Sequence, residues 1–268
     1  MSNFFATAWQ PFTPQGVAAF ALAPLRRLLL IQFIVALWVA AGVTWFCYDR
    51  YVPVISGAIS QLPATSQIRH RQLEWHGPAP VILHENGFLA VSVSTHPPAS
   101  LRSVADIQCD LGRNRLTVFS LLGYAEWPYP SGWIISLGRE ELEPLWGAWR
   151  PGVLTGVFVA TAGGLMLAWG GLATLYAGPA WWLALYLNRR LTWRGSWKLS
   201  GAALLPGALL MLLAISFYDL GVMNLIGLLS VLGMHFFVGW VGLLLGLFAT
   251  SMAQPVAARN PFAHPRKR

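Results

Sequence analysis

Charge is what this chain has least of. Asp, Glu, Lys and Arg make up 10% of its 268 residues, against roughly a quarter in an ordinary soluble domain. The deficit is concentrated in long stretches that hold none of the four. That excludes an ordinary water-soluble enzyme. It equally excludes a disordered chain, because 56% of the residues are hydrophobic and the mean hydropathy is +0.53. Cysteine occurs only as Cys47 and Cys109, too few for a disulfide scaffold or a four-cysteine zinc site. No bond between them is expected, since Cys47 falls at the edge of an apolar run. Serine-hydrolase elbows, HExxH, phosphate-binding loops and dinucleotide fingerprints are all missing. The long apolar runs lack carboxylates and lysines, which leaves an ion-coupled transporter little to work with.

What is present is apolar length. A helix needs about 20 residues to cross a hydrocarbon core, and the uncharged runs at 28–48, 151–178, 200–218 and 220–248 each meet or approach that length. The expected fold class is therefore an α-helical integral membrane protein with four transmembrane helices. A β-rich extracytoplasmic domain at 49–150 is inserted between helices 1 and 2. Asp219 and Gly221 mark a tight join between the last two spans.

Arg26 and Arg27 precede the first span, Arg189, Arg190, Arg194 and Lys198 follow the second, and Arg259, Arg266, Lys267 and Arg268 follow the fourth. If every span crosses, those cations share one side with no acid among them, and that side is cytoplasmic by the positive-inside rule. The expected location is the bacterial inner membrane, with both termini cytoplasmic. The formal charge of +8 and pI near 10.1 are then explained without a nucleic-acid partner.

The flanks add detail. Phe4, Phe5, Ala8, Trp9 and Phe12 fall at helical spacing in an amphipathic arm (1–27), and Thr13-Pro14 has the form of an N-cap followed by a first-turn proline. Gly178-Pro179 is expected to break the second helix and leave 179–199 as an interfacial segment, with one long tilted helix as the alternative. The tail, 249–268, is basic. In the outside region Phe88 to Thr95 alternates like a half-buried strand, and Ala105–Leu111 and Arg115–Leu121 flank a hairpin turn. Ile68–Trp75, Pro80–Leu83 and Trp133–Leu137 are further predicted strands.

The chemical candidates have bland counterparts. Gly152, Gly156, Ala160, Gly164 and Ala168 place a small residue at every fourth position, and Gly242 and Gly246 form a GxxxG pair. Both are helix-packing seams, within the bundle or in a homo-oligomer. His235 and Asn224 are polar groups within a span. Haem ligation by His235 lacks a second membrane histidine, so a hydrogen bond to a helix neighbour is expected. His70, Gln72, Glu74 and His76 would share one face of a strand, and His70, Glu74 and His76, with His84 as a fourth, are candidate metal ligands. Glu140, Glu141 and Glu143 match a helix start, and Asp106 and Asp110 lack a companion nucleophile. No cofactor is expected.

The segment Phe12-Thr13-Pro14-Gln15-Gly16-Val17-Ala18-Ala19-Phe20 resembles the opening of the bacterial family called domain of unknown function 1189. That family likewise places one span, an outside domain and then a block of spans. Gln72-Leu73-Glu74-Trp75 and Phe88-Leu89-Ala90-Val91-Ser92-Val93 are similar to its β-rich middle. The resemblance implies layout but no activity, and some members are loosely labelled maltodextrin-utilisation proteins. The reading is a non-enzymatic scaffold, accessory or sensing subunit, in the lipid bilayer, whose outside domain binds a protein partner or envelope component. One alternative is an oligosaccharide-binding transporter accessory, with Trp75, Trp127, Tyr129 and Trp133 as stacking rings. The other is an extracytoplasmic metal-dependent enzyme.

Overall fold

A computed structural model describes residues 11–95, 101–132 and 134–252. The expectations for Phe4, Phe5, Ala8, Trp9 and Trp133, and for the tail beyond Met252, lie outside the described residues. Those described form seven α-helices and two sheets. Four helical stretches are long and apolar enough to cross a membrane: Leu25–Ser60, Arg139–Tyr186, Trp193–Asp219 and Leu225–Ala249. The chain divides into two compact units.

The first unit comprises Met1–Val39, Ala162–Leu213 and Leu229–Arg268. Helix α1 (Pro14–Phe20) starts as its sequence predicts, with the Thr13 hydroxyl accepting from the Gly16 amide at 3.1 Å and proline at the first position. Val17 and Phe20 are buried. Helix α2 (Leu25–Phe46) contributes its first part, where Gln32 donates to the Gly201 carbonyl at 3.2 Å. That bond satisfies a buried amide that would otherwise be costly in an apolar setting. α3 (Val52–Ser60) belongs to the other unit, and α4 spans Arg139–Tyr186. Next come α5 (Trp193–Ala203) and α6 (Leu205–Asp219), joined at Leu204, and α7 (Leu225–Ala249). Pro206 lacks the amide that would carry the ladder across this join.

Small residues set how closely these helices approach. A Cβ on Gly246 would lie 2.6 Å from Val17 Cγ1, one on Gly242 3.3 Å from the Ala203 carbonyl, and one on Gly207 2.9 Å from the His235 carbonyl. At the ends, Arg189 donates to the Thr250 carbonyl at 2.7 Å and Lys198 to the Ala23 carbonyl at 2.6 Å.

Three boundary expectations need correction. Gly178-Pro179 does not break the helix, since α4 runs unbroken for 48 residues to Tyr186. Burial of Ala173, Tyr176, Ala177, Ala180 and Ala184 on one stripe holds it helical. Ser196 Oγ also donates to the Ala177 carbonyl at 2.7 Å, which ties α5 to this part of α4. Within 179–199, residues up to Tyr186 continue α4 and 193–199 belong to α5. The last helix starts at Leu225 rather than 220, after a turn in which Gly221 has φ +71°.

The second unit comprises Ala40–Thr161 and Ala214–Leu228. One π-helical turn, Cys47–Tyr51, follows α2 and leads into α3. Strands β1 (Gln67–Arg69) and β2 (Gln72–Glu74) form a hairpin, and β8 (Ile135–Ser136) completes a sheet of order β2-β1-β8. β3 (Val81–Glu85), β4 (Leu89–Ser94), β5 (Ile107–Gly112), β6 (Arg115–Ser120) and β7 (Gly123–Pro128) form the larger sheet in that order. β4 and β5 run parallel and the other neighbours antiparallel. Ala58 and Leu62 pack with Ile68, Leu73, Leu83, Val93 and Tyr129 in one core. A strand at 89–94 and the hairpin at Arg113-Asn114 are as predicted, but burial along the strand does not alternate: Leu89, Ala90, Ser92 and Val93 are all buried, so both faces are covered.

The strand predicted at Ile68–Trp75 is instead a hairpin. His70 (φ 51°) and Arg71 (φ 64°) occupy its two-residue turn, both left-handed as a type I′ connection requires.

Candidate functional site

Within the second unit, polar groups converge at the π-turn and the end of α6. The i→i+5 turn carries Arg50. Its Nε donates to Asp219 Oδ1 at 2.7 Å and its Nη2 to the Asp219 carbonyl at 2.7 Å. Asp49 lies 3.1 Å away, and the guanidinium sits 5.3 Å from the centre of the Phe88 ring. Such a fork-shaped, charge-assisted pair is oriented as well as attractive. Asn86 ties the Arg50 backbone to the start of β4: Nδ2 donates to the Arg50 carbonyl at 2.7 Å, while Oδ1 accepts from the Phe88 and Leu89 amides, each at 2.9 Å.

Around this node Phe46, Tyr51, Phe88 and Tyr218 form a ring cluster. Phe88 meets Phe46 and Tyr218 edge-on, at 5.4 and 4.8 Å between centroids, in the favoured geometry for aromatic pairs. The Tyr218 hydroxyl donates to Asp106 Oδ2 at 2.6 Å.

Asp106 also lines a cleft of about 550 Å³, together with Arg102, Ser103, Gln108, Phe119 and Tyr124. Hydrogen bonds hold Gln108 of this lining and the strand behind it. Buried Gln108 donates to the Leu101 carbonyl at 2.6 Å and to Ser92 Oγ at 2.9 Å, and accepts from the Ser103 amide at 3.0 Å. Buried Asp110 accepts from Ser92 and Ser94 at 2.7 and 2.9 Å. Phe119 and Tyr124 lie side by side with centroids 6.1 Å apart. Burial pushes the Cys109 thiol up, away from the nucleophilic thiolate. Burial, with the charge of Asp110 added, also raises the Tyr129 hydroxyl above its usual range. Such a cleft presents fixed donors, acceptors and ring faces, which is equipment for recognition.

The sequence candidates fare unevenly. The metal set does not assemble on one face, because His70 sits in the turn. Glu74 accepts from Gln67 Nε2 at 2.5 Å, and the His76 amide reaches Ser66 Oγ at 3.4 Å. His84 lays its ring over Gly57, where a Cβ would collide with it. No group of three metal-binding side chains is found among the described residues. Of the stacking rings, Tyr129 is in the core with its hydroxyl on the Gly112 carbonyl at 2.9 Å. Trp75 packs on the same core, and Trp127 is exposed.

His235 bonds through Nδ1 to the Leu232 carbonyl, a helix neighbour. Asn224 is the N-cap of α7, accepting from the Gly227 amide at 2.9 Å, so it stands at the turn rather than inside the helix. Gly242 and Gly246 do pack against neighbouring helices. Gly152, Gly156 and Gly164 face nothing within 4 Å of an added Cβ, and Ala160 and Ala168 are exposed with them. The buried stripe of α4 is the other one, through Ala162, Trp169 and Ala173.

The node itself was half-visible in sequence. Asp219 is the single charge between two apolar runs, and Asp49-Arg50 directly follows the first. Nothing in their spacing pairs them. No protein-family model matches the chain, and no curated protein or solved structure matches it either.

Proposed function

We propose that this is a four-span protein of the bacterial inner membrane, with cytoplasmic termini and an outside domain at 49–150. That domain serves as a binding module in a scaffold, accessory or sensing subunit. The observation that carries the reading is Asp106. One carboxylate both lines the cleft and holds Tyr218, next to the Arg50–Asp219 pair. Occupation of the cleft would therefore act on the end of α6 through one shared group. Kinship with the domain of unknown function 1189 family fits this layout and rests on residues 12–20 and the order of the segments.

A hydroxyl-rich ligand such as an oligosaccharide is the second reading. The Phe119–Tyr124 ring pair beside Arg102, Asp106 and Gln108 favours it.

A photo-reactive amino acid in place of Leu121, exposed on the rim of the cleft, tests both in growing cells. The binding-module reading expects one discrete covalent adduct that disappears in Phe119→Ala/Tyr124→Ala. Adducts to lipid alone, or an adduct indifferent to those substitutions, would remove it. Quenching of the adduct by added maltodextrin would select the oligosaccharide reading.

A further inference from the structure

In the first unit no cation has an acidic side chain of the same unit to pair with. All ten acidic residues of the chain fall in 40–161 and 214–228, so the other unit has cations and no carboxylate. Among those cations, Arg194 and Lys198 line a cavity of about 510 Å³ together with Leu25, Trp193 and Trp197. The two cations are four apart on α5, as are the two tryptophans, so a charged stripe and an indole stripe run side by side on one helical face.

We propose that this cavity seats the phosphodiester headgroup of an anionic phospholipid, with the glycerol and first acyl carbons against Leu25 and the two indoles.

The geometry of each wall fits that occupant. Lys198 donates one proton to the Ala23 carbonyl at 2.6 Å, which fixes the ammonium and leaves two donors of its three. Arg194 is exposed and carries five donors in a fork that matches phosphate oxygens. The Trp197 ring is held by its Nε1–H donating to Thr174 Oγ1 at 3.0 Å, and Trp193 stands edge-on to Trp181 at 6.0 Å. Rings fixed in this way offer an apolar face at little further entropic cost. Free phosphate would use the two cations and leave the apolar wall facing water. A phospholipid uses both. Basic pockets between spans on the cytoplasmic side are the expected headgroup sites of multi-pass proteins.

The proposal rests on the membrane reading above, yet the two fail separately. The test is native mass spectrometry of the full chain released from neutral detergent, with phosphatidylglycerol and phosphatidylcholine of identical acyl chains supplied together. One phosphatidylglycerol should be retained in preference to phosphatidylcholine. Arg194→Gln should weaken that retention about fivefold and Arg194→Gln/Lys198→Gln about 25-fold, as each basic group near an anionic lipid surface contributes about 1 kcal/mol. Arg194→Lys should restore most of it.

Lys198 is also a structural donor, so Arg194→Gln and its lysine rescue carry the test if the double variant is not monodisperse. Equal retention of the two lipids overturns the proposal, as does undiminished phosphatidylglycerol on Arg194→Gln. Displacement of the lipid by excess inorganic phosphate reassigns the site to a soluble anion, which also overturns it. A chain found in the aqueous fraction without detergent would instead sink the membrane reading beneath it.

Discussion

Arg50→Ala is the most informative single substitution, because it removes a side chain held from several directions. The guanidinium makes two short bonds to Asp219, one to the carboxylate and one to the backbone carbonyl, each 2.7 Å. Hydrogen bonds to charged groups contribute about 1.5–3 kcal/mol each when shielded. The side chains here are 32% and 15% exposed, so the ionic part moves toward the 0.2–1 kcal/mol typical of surface pairs. Adding the carbonyl bond and the Phe88 face gives a loss of about 2 kcal/mol. Arg50→Lys keeps the charge but lacks the fork, so about half of that should be lost. Asp219→Ala removes only the carboxylate and should cost about 1 kcal/mol.

The double variant then reports a coupling of about 1 kcal/mol, since the sites touch and their effects do not add. Equilibrium unfolding of the full chain in mixed micelles, titrated with SDS, measures all four variants. A coupling below about 0.3 kcal/mol, or Arg50→Lys indistinguishable from wild type, would show that the node is a by-product of packing.

Four further outcomes follow from particular contacts. His70→Asn/Arg71→Gly should raise stability by about 1 kcal/mol in the same assay, because Asn-Gly suits a type I′ turn and two left-handed ordinary residues do not; a loss would revive a ligand role for His70. Gly207→Ala and Gly246→Ala should each cost about 1–3 kcal/mol by overpacking, whereas Gly156→Ala and Gly164→Ala should be neutral or stabilising by up to about 1 kcal/mol. If the last two instead broke a dimer on a sizing column, the outward seam of α4 would be an interface. Asp110→Ala leaves the Ser92 and Ser94 hydroxyls without their buried acceptor and should cost about 2–3 kcal/mol. With Cys47 and Cys109 replaced by serine, an impermeant maleimide on intact cells should label Leu122→Cys but not Tyr186→Cys, both at exposed positions; the reverse pattern would invert the topology.

Legibility followed the kind of signal. Apolar length is additive along the chain, so the four long helices were visible. The Thr13-Pro14 start was visible because capping chemistry is local. Pro179 misled because a proline's local cost was set against no tertiary term. The alanine stripe of α4 and Ser196 supply that term, and both depend on packing partners. The seam at Gly152–Ala168 faces outward in the single chain, and periodicity alone did not reveal that. Two stripes of small residues share α4, and periodicity marks both without saying which is buried. At His70 a period of two continued across the hairpin, so alternation alone did not reveal that the chain reverses there. The node was least legible, because Arg50 and Asp219 are 169 residues apart.

The partition of acids deserves a physical cause beyond membrane insertion. Asp and Glu contribute little to the positive-inside rule, so orientation alone does not require their complete exclusion from one unit. Nor does local stability, because two cations there donate to backbone carbonyls instead: Arg189 to Thr250, just past the end of α7, and Lys198 to Ala23. A positive group beside the carbonyl end of a helix is favourable without any carboxylate. A carboxylate in that unit would compete for the same donors, and it would repel a negatively charged leaflet at about the same magnitude by which each cation attracts it. Acid exclusion is therefore what a surface gains from if its cations must stay available to something outside the chain. In the second unit the demand is opposite, since Arg50 is needed by Asp219. One chain thus ties arginine in two ways, Arg50 to a carboxylate where acids are present and Arg189 to a backbone carbonyl where they are not.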